Sequence, residues 1–141
     1  MTYPTTLAMP AATEQPCAAH RFHRPKPAYC ELHHLVPQAW QRFWWPGKTG
    51  AHDHSIAQPL WYPKVVPLCP TGHRNVHRLI VVMMQACHHA GSDDPLTGWK
   101  AVVKVSRSVK ERDIAYDALT IFRGHHGSLL DLTSNGLWGE A

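Results

Sequence analysis

Two stretches decide how this chain folds. They are Cys30-Glu31-Leu32-His33-His34-Leu35-Val36-Pro37 and Leu68-Cys69-Pro70-Thr71-Gly72-His73-Arg74-Asn75-Val76-His77. Histidines at i and i+4 point the same way from a helix, one turn apart, so His73 and His77 can reach a single ion. Adjacent histidines in the first stretch can supply one metal ligand beside one proton acceptor. Imidazole titrates near neutrality, so an unligated histidine serves as a general base at cellular pH. Together the clusters read as a three-histidine metal site with a fourth histidine as base.

The local patterns place these clusters on a hairpin and a helix. Tyr29 to His34 is predicted as the first strand and Lys64 to Leu68 as the second, where Val65-Val66 suits a strand and Pro63 and Pro67 suit its ends. Side chains alternate along a regular strand, so His33 and His34 share one site only if the strand is irregular there. Thr71 is a fair cap for a helix from Gly72 or His73 to His89, ended by Gly91. Val76, Leu79, Ile80, Met83, Met84 and Cys87 form its core-facing stripe. His88 and His89 then meet the negative end of the helix dipole.

The pair "CELHHLVP … LCPTGHRNVH" resembles the HNH endonuclease motif in its phage-type variant, over roughly residues 29–82. The resemblance implies an α+β fold. Its core is a small ββα-metal (HNH, or His-Me) finger with additional helices and a long hairpin insert. It implies that His33, His73 and His77 hold one divalent ion and that His34 takes a proton from the attacking water. Products would then carry a 5′ phosphate and a 3′ hydroxyl. Imidazole ligands favour Zn, Ni, Co or Mn over Mg on softness grounds, and the identity of the ion stays open. DNA is the implied partner, with phage packaging proteins as further partners. Lys64, Arg74 and Arg78 are candidates for phosphate contact. One position departs from the family pattern: the middle asparagine, nine residues before His73, is Lys64 here, and Asn75 lies inside the second cluster. Two functions therefore stand side by side, a metal-dependent DNA endonuclease and a catalytically silent nucleic-acid-binding or zinc-binding module.

Many relatives of the motif brace the finger with a second zinc held by two CxxC knuckles. Cys30 and Cys69 stand where one member of each knuckle would be, which makes them candidate structural residues, while Gly72 replaces the other member of the second. Two thiolates alone do not close a tetrahedral site. Completion by Cys17, His20 or His23 is one reading; small buried cysteines flanking the hairpin are the favoured one.

Composition sets the outer bounds. The chain has 141 residues, enough for one domain plus tails, and 14 Lys and Arg against 10 acidic residues give net +4, a mild bias toward a polyanionic partner. Residues 1–28, rich in proline with Arg21, Arg24 and Lys26, read as a flexible basic arm with little regular structure. Residues 29–90 read as the finger with its insert at 38–63, and 91–141 as a helical extension and tail. In the insert, a short helix is expected over 37–44, and the tryptophans are expected to bury against the finger. Gly47-Lys48-Thr49 lacks the upstream glycine of a phosphate loop, and His52-Asp53-His54 reads as a solvated loop. Trp99 to Val105 suits either a strand or a helix. Ser108-Val109-Lys110-Glu111 is a capping box ahead of a helix to about Phe122, and the glycine-rich tail after Gly124 is expected to be partly frayed. Met1 to Pro16 has no basic start and no sustained apolar run, and no stretch is long enough to span a bilayer. The expectation is a soluble cytoplasmic protein with reduced thiols.

Overall fold

The computed structural model of the chain describes residues 12–13, 17–19, 30–37, 40, 64–106, 108–125, 128–134 and 136. Among these, strands β1 (Ala12–Thr13), β2 (Cys30–His34) and β3 (Val65–Leu68) form an antiparallel sheet in the order β1-β2-β3. Helices α1 (Pro70–Ala90), α2 (Pro95–Val102), α3 (Val109–His125) and α4 (Leu129–Ser134) follow. The class is α+β, as expected from the sequence.

The β2–β3 pairing runs Glu31↔Leu68, Leu32↔Pro67, His33↔Val66 and His34↔Val65. Pro67 costs no ladder bond at its position, because it sits on the outermost described strand and its missing N–H would have pointed away from β2. On that outer side its carbonyl instead accepts the Ala18 N–H at 2.8 Å. The segment 1–28 thus contributes regular structure that its composition did not announce: β1 pairs with β2, and residues 17–19 lie along β3. His20 to Pro27, the insert apart from Trp40, and the last five residues, for which the sequence carried expectations, lie outside the described residues.

Helix α1 follows directly from β3, and the turn between them is set by Cys69. Its backbone is extended, and its Sγ accepts the Gly72 N–H at 3.2 Å. Cys69, not Thr71, is therefore the N-cap; Pro70 at the first helical position makes this the natural start. Gly91 ends the helix in the left-handed region at φ 61°, where a residue with Cβ would be strained. The predicted stripe is the buried one: Val76, Leu79, Ile80, Met83, Met84 and Cys87 are all at most 3% exposed. Removing each such side chain from water contributes about 1.5–3 kcal/mol, which outweighs the modest helix propensity of Val and Ile.

Of the segment Trp99 to Val105, the part to Val102 is helical and residues 103–105 form a turn; the helix starts earlier than the sequence suggested, with Asp94 as N-cap accepting the Leu96 N–H at 2.9 Å. Gly98 lets α2 lie directly on α1, since a Cβ there would stand 2.7 Å from the Met83 Cβ. Ser108 Oγ accepts the Glu111 N–H at 3.2 Å, as the capping box required. The Glu111 carboxylate is buried and accepts from Asn75 Nδ2 at 3.4 Å, tying α3 to α1. Beyond Gly124, where the sequence predicts partial fraying, the described residues include the ordered helix α4, seated by buried Leu129 and Leu132 and capped by Asp93, which accepts the Leu130 N–H at 2.9 Å. Trp40 is fully buried with its ring edge-on to Phe122 at 5.3 Å, the structural role expected for the insert's tryptophans at the one that is described. No helix among the described residues is long and apolar enough to cross a membrane.

Candidate metal centre

Strand β2 lies beside the first two turns of α1, and this juxtaposition assembles three histidines. The ring centroids of His33 and His73 are 4.8 Å apart, those of His33 and His77 4.4 Å, and those of His73 and His77 4.8 Å. One ligand-competent atom from each lies within 4.8 Å of the others. His33 reaches this position because it shares a strand face with Glu31, and that face meets α1. His73 and His77 reach it through their four-residue spacing.

His33 carries the strongest physical signal. It is 3% exposed, and neither ring nitrogen has a hydrogen-bond partner. Leaving a buried polar atom unpaired costs about 1–3 kcal/mol, so native structures seldom do so without a compensating ligand. Burial holds its pKa well below the ordinary 6.5, and positive charge on His77, His73 and His34 lowers it further. The imidazole is consequently neutral, the form that donates a lone pair to a metal.

Glu31 fixes the second ligand. Its Oε2 accepts from His73 Nδ1 at 2.7 Å, which leaves His73 Nε2 as the free lone pair. That Nε2 stands 3.0 Å from His77 Nε2. Ligand nitrogens around a tetrahedral ion with bonds of about 2.0–2.1 Å are about 3.3 Å apart, a spacing the His73–His77 pair nearly has, while the full set of three ligand atoms, all within 4.8 Å of one another, has to draw together around an ion. The donor set thus fits a divalent ion of the zinc or nickel type. Glu31 lies in the quoted motif, yet the sequence reading gave it no role; period-two alternation from His33 was the signal that could have found it.

The other candidates sit around this centre. His34 does not join the three rings. Pairing stays regular through His34↔Val65, and the Leu35 N–H continues it to Lys64 O at 3.0 Å. The irregularity that would bring both histidines onto one face is absent, and alternation assigns His34 to the opposite face. It remains close enough for its charge to act on His33. Lys64, half-buried opposite Leu35, falls on the His33 face of the sheet by the same alternation. Arg74 and Arg78 are exposed on α1, each one residue beyond a histidine of the cluster. Asn75 faces Glu111 of α3, away from the histidines. His88 and His89 are exposed near the end of α1, where His88 Nδ1 pairs with Thr133 Oγ1 at 3.1 Å.

No protein-family model, curated protein or solved structure matches this chain.

Two expected results follow from the geometry. Glu31→Gln keeps the shape of the side chain but removes its charge, and should weaken metal binding about 10- to 100-fold; competition with a chromophoric chelator measures this, and unchanged affinity would contradict the orienting role. The second concerns acid. As pH falls below 6.5 the unfolded chain protonates at residue 33 while the folded chain does not. Stability of the ion-free protein is therefore present above that value and declines below it, by up to about 1.4 kcal/mol per pH unit for this proton. Urea unfolding of chelator-treated protein across this range should show the slope, and His33→Gln should lack it. Identical slopes in the two proteins would show that residue 33 is not a buried neutral imidazole.

Proposed function

We propose that the chain is a metal-dependent DNA endonuclease built on an HNH-type ββα-metal finger. The observation that carries the reading is the buried, unpartnered His33 imidazole facing the His73–His77 pair, with a second histidine beside it on the strand. Three neutral ligands leave a divalent ion's charge uncompensated, which suits a phosphodiester. When bound, the ion supplies positive charge for the phosphorane and for the departing 3′ oxygen. His34 accepts the proton of the attacking water as its oxygen bonds to phosphorus and the bond to the 3′ oxygen breaks. Glu31 holds His73 in the tautomer that binds metal. Lys64, Arg74 and Arg78 contact backbone phosphates, which the net charge of +4 favours.

A catalytically silent nucleic-acid-binding finger is the second reading, and one observation favours it: the unbroken strand pairing that turns His34 to the far face. A plasmid-nicking assay with added manganese, nickel, zinc or magnesium separates the two. Nicking that requires the metal and disappears with chelator supports the endonuclease. DNA binding without cutting, falling steeply with salt, supports the silent finger.

A further inference from the structure

Outside the histidine centre, Cys30 and Cys69 are buried free thiols that serve as small core side chains at the end of the sheet. A different surface lies on α2 and α3. Among the described residues the exposed large hydrophobics are Leu96, Val103, Val105 and Val109, all within one segment of the chain. Leu96, Trp99 and Val103 recur at i, i+3 and i+7 on α2 and its C-cap, and Val109, Asp113 and Tyr116 recur at i, i+4 and i+7 on α3. Each trio therefore shares one helix face. The two faces meet: the Trp99 and Tyr116 rings lie edge-on with centroids 5.4 Å apart, and Leu96, Trp99, Asp113 and Tyr116 line an open cavity of about 290 Å³. Arg112 holds this groove in shape, its guanidinium 5.2 Å from the Trp99 ring centre and its Nη1 donating to the Val103 carbonyl. Val105, in the turn between the helices, is 70% exposed, and Lys104 beside it is exposed too.

We infer that this groove is the interface of a two-fold dimer, its occupant a second copy of this chain. One surface carries both a projecting aliphatic corner, Val105 and Val109, and an apolar cavity. A two-fold interface requires such self-complementarity, because the patch that offers the knob must also offer the hole. The charges obey the same rule. Asp113 is the one charged residue in the cavity wall, and Lys104 adjoins Val105. Seating Val105 in the cavity of the other copy therefore brings Lys104 to the partner's Asp113, and the symmetry repeats the pair. A different protein would need only one of these features, whereas a second copy uses both. Nucleic acid fits this face less well, since exposed aliphatic side chains gain nothing from phosphates and the Asp113 carboxylate repels them. Apolar side chains gathered on one exposed face instead favour association with protein. The inference does not depend on the histidine centre or on its chemistry.

Sedimentation equilibrium of the full chain across micromolar concentrations tests this. The weight-average mass is expected to climb from the monomer value toward twice that value. Val105→Asp replaces an exposed side chain, so its circular dichroism should match wild type. Its dimer dissociation constant should rise by about 100-fold or more, since each dimer loses two buried valines. Lys104→Glu and Asp113→Lys should each favour monomer alone. An equimolar mixture of those two variants should form a heterodimer, because only that pairing sets opposite charges at both contacts. A merely destabilised fold cannot give this rescue. A dimer that persists unchanged in Val105→Asp, or a mixture without heterodimer, would overturn the proposal. So would a wild-type chain that stays monomeric, and loss of its DNA binding in Lys104→Glu would then assign the face to nucleic acid.

Discussion

On the proposed endonuclease reading, His77→Ala is expected to abolish metal binding at the histidine centre and DNA cleavage together. The residue supplies one of three imidazoles, and its Nε2 lies 3.0 Å from that of His73. Removing a direct ligand should weaken binding by more than the roughly 100-fold upper bound for an outer-shell partner. His77 is half-buried on the face of α1 that meets β2, outside the buried stripe from Val76 to Cys87, so truncation leaves the helix packed. In a calorimetric titration with nickel, the binding step expected for wild type should be missing from the variant. Circular dichroism should be unchanged. A variant that binds nickel as tightly as wild type would remove His77 from the ligand set.

The second large effect is expected at His34. His34→Ala should lower the cleavage rate by about 10²–10⁴-fold, the usual contribution of a general base, with nickel affinity nearly unchanged. This split between chemistry and metal content distinguishes it from His77→Ala. It is a demanding test, because regular pairing turns His34 away from the other three rings while leaving it near enough to affect His33. Wild-type cleavage by the variant would assign the proton transfer to another group.

Much of the frame was legible in the sequence because it rests on short-range rules. The i, i+4 spacing of His73 and His77, the stripe from Val76 to Cys87 and the stop at Gly91 are local patterns, and each holds in the fold. The strands around Val65-Val66 and His33-His34 hold for the same reason. What the sequence concealed depends on contacts between distant segments. Neither β1 nor the approach of Cys17 to Cys69 has a periodic signature, since each consists of a few residues recruited by a sheet edge 17 or more positions away. Helix α4 was hidden by its glycine-rich surroundings, although Leu129 and Leu132 have helical spacing. The Glu31–His73 pair spans 42 positions and required the β2–α1 docking to be known. The cap at Cys69 was missed because cysteine is seldom an N-cap, whereas Thr71 is a preferred type.

The central claim is that one ion sits among His33, His73 and His77. A crystal of the protein grown with zinc or nickel, measured on both sides of the metal's absorption edge, addresses it directly. The expected result is an anomalous peak about 2.0–2.1 Å from a nitrogen of each of the three imidazoles. An empty site at saturating metal, with the His33 nitrogens hydrogen-bonded to water or protein, would contradict the account.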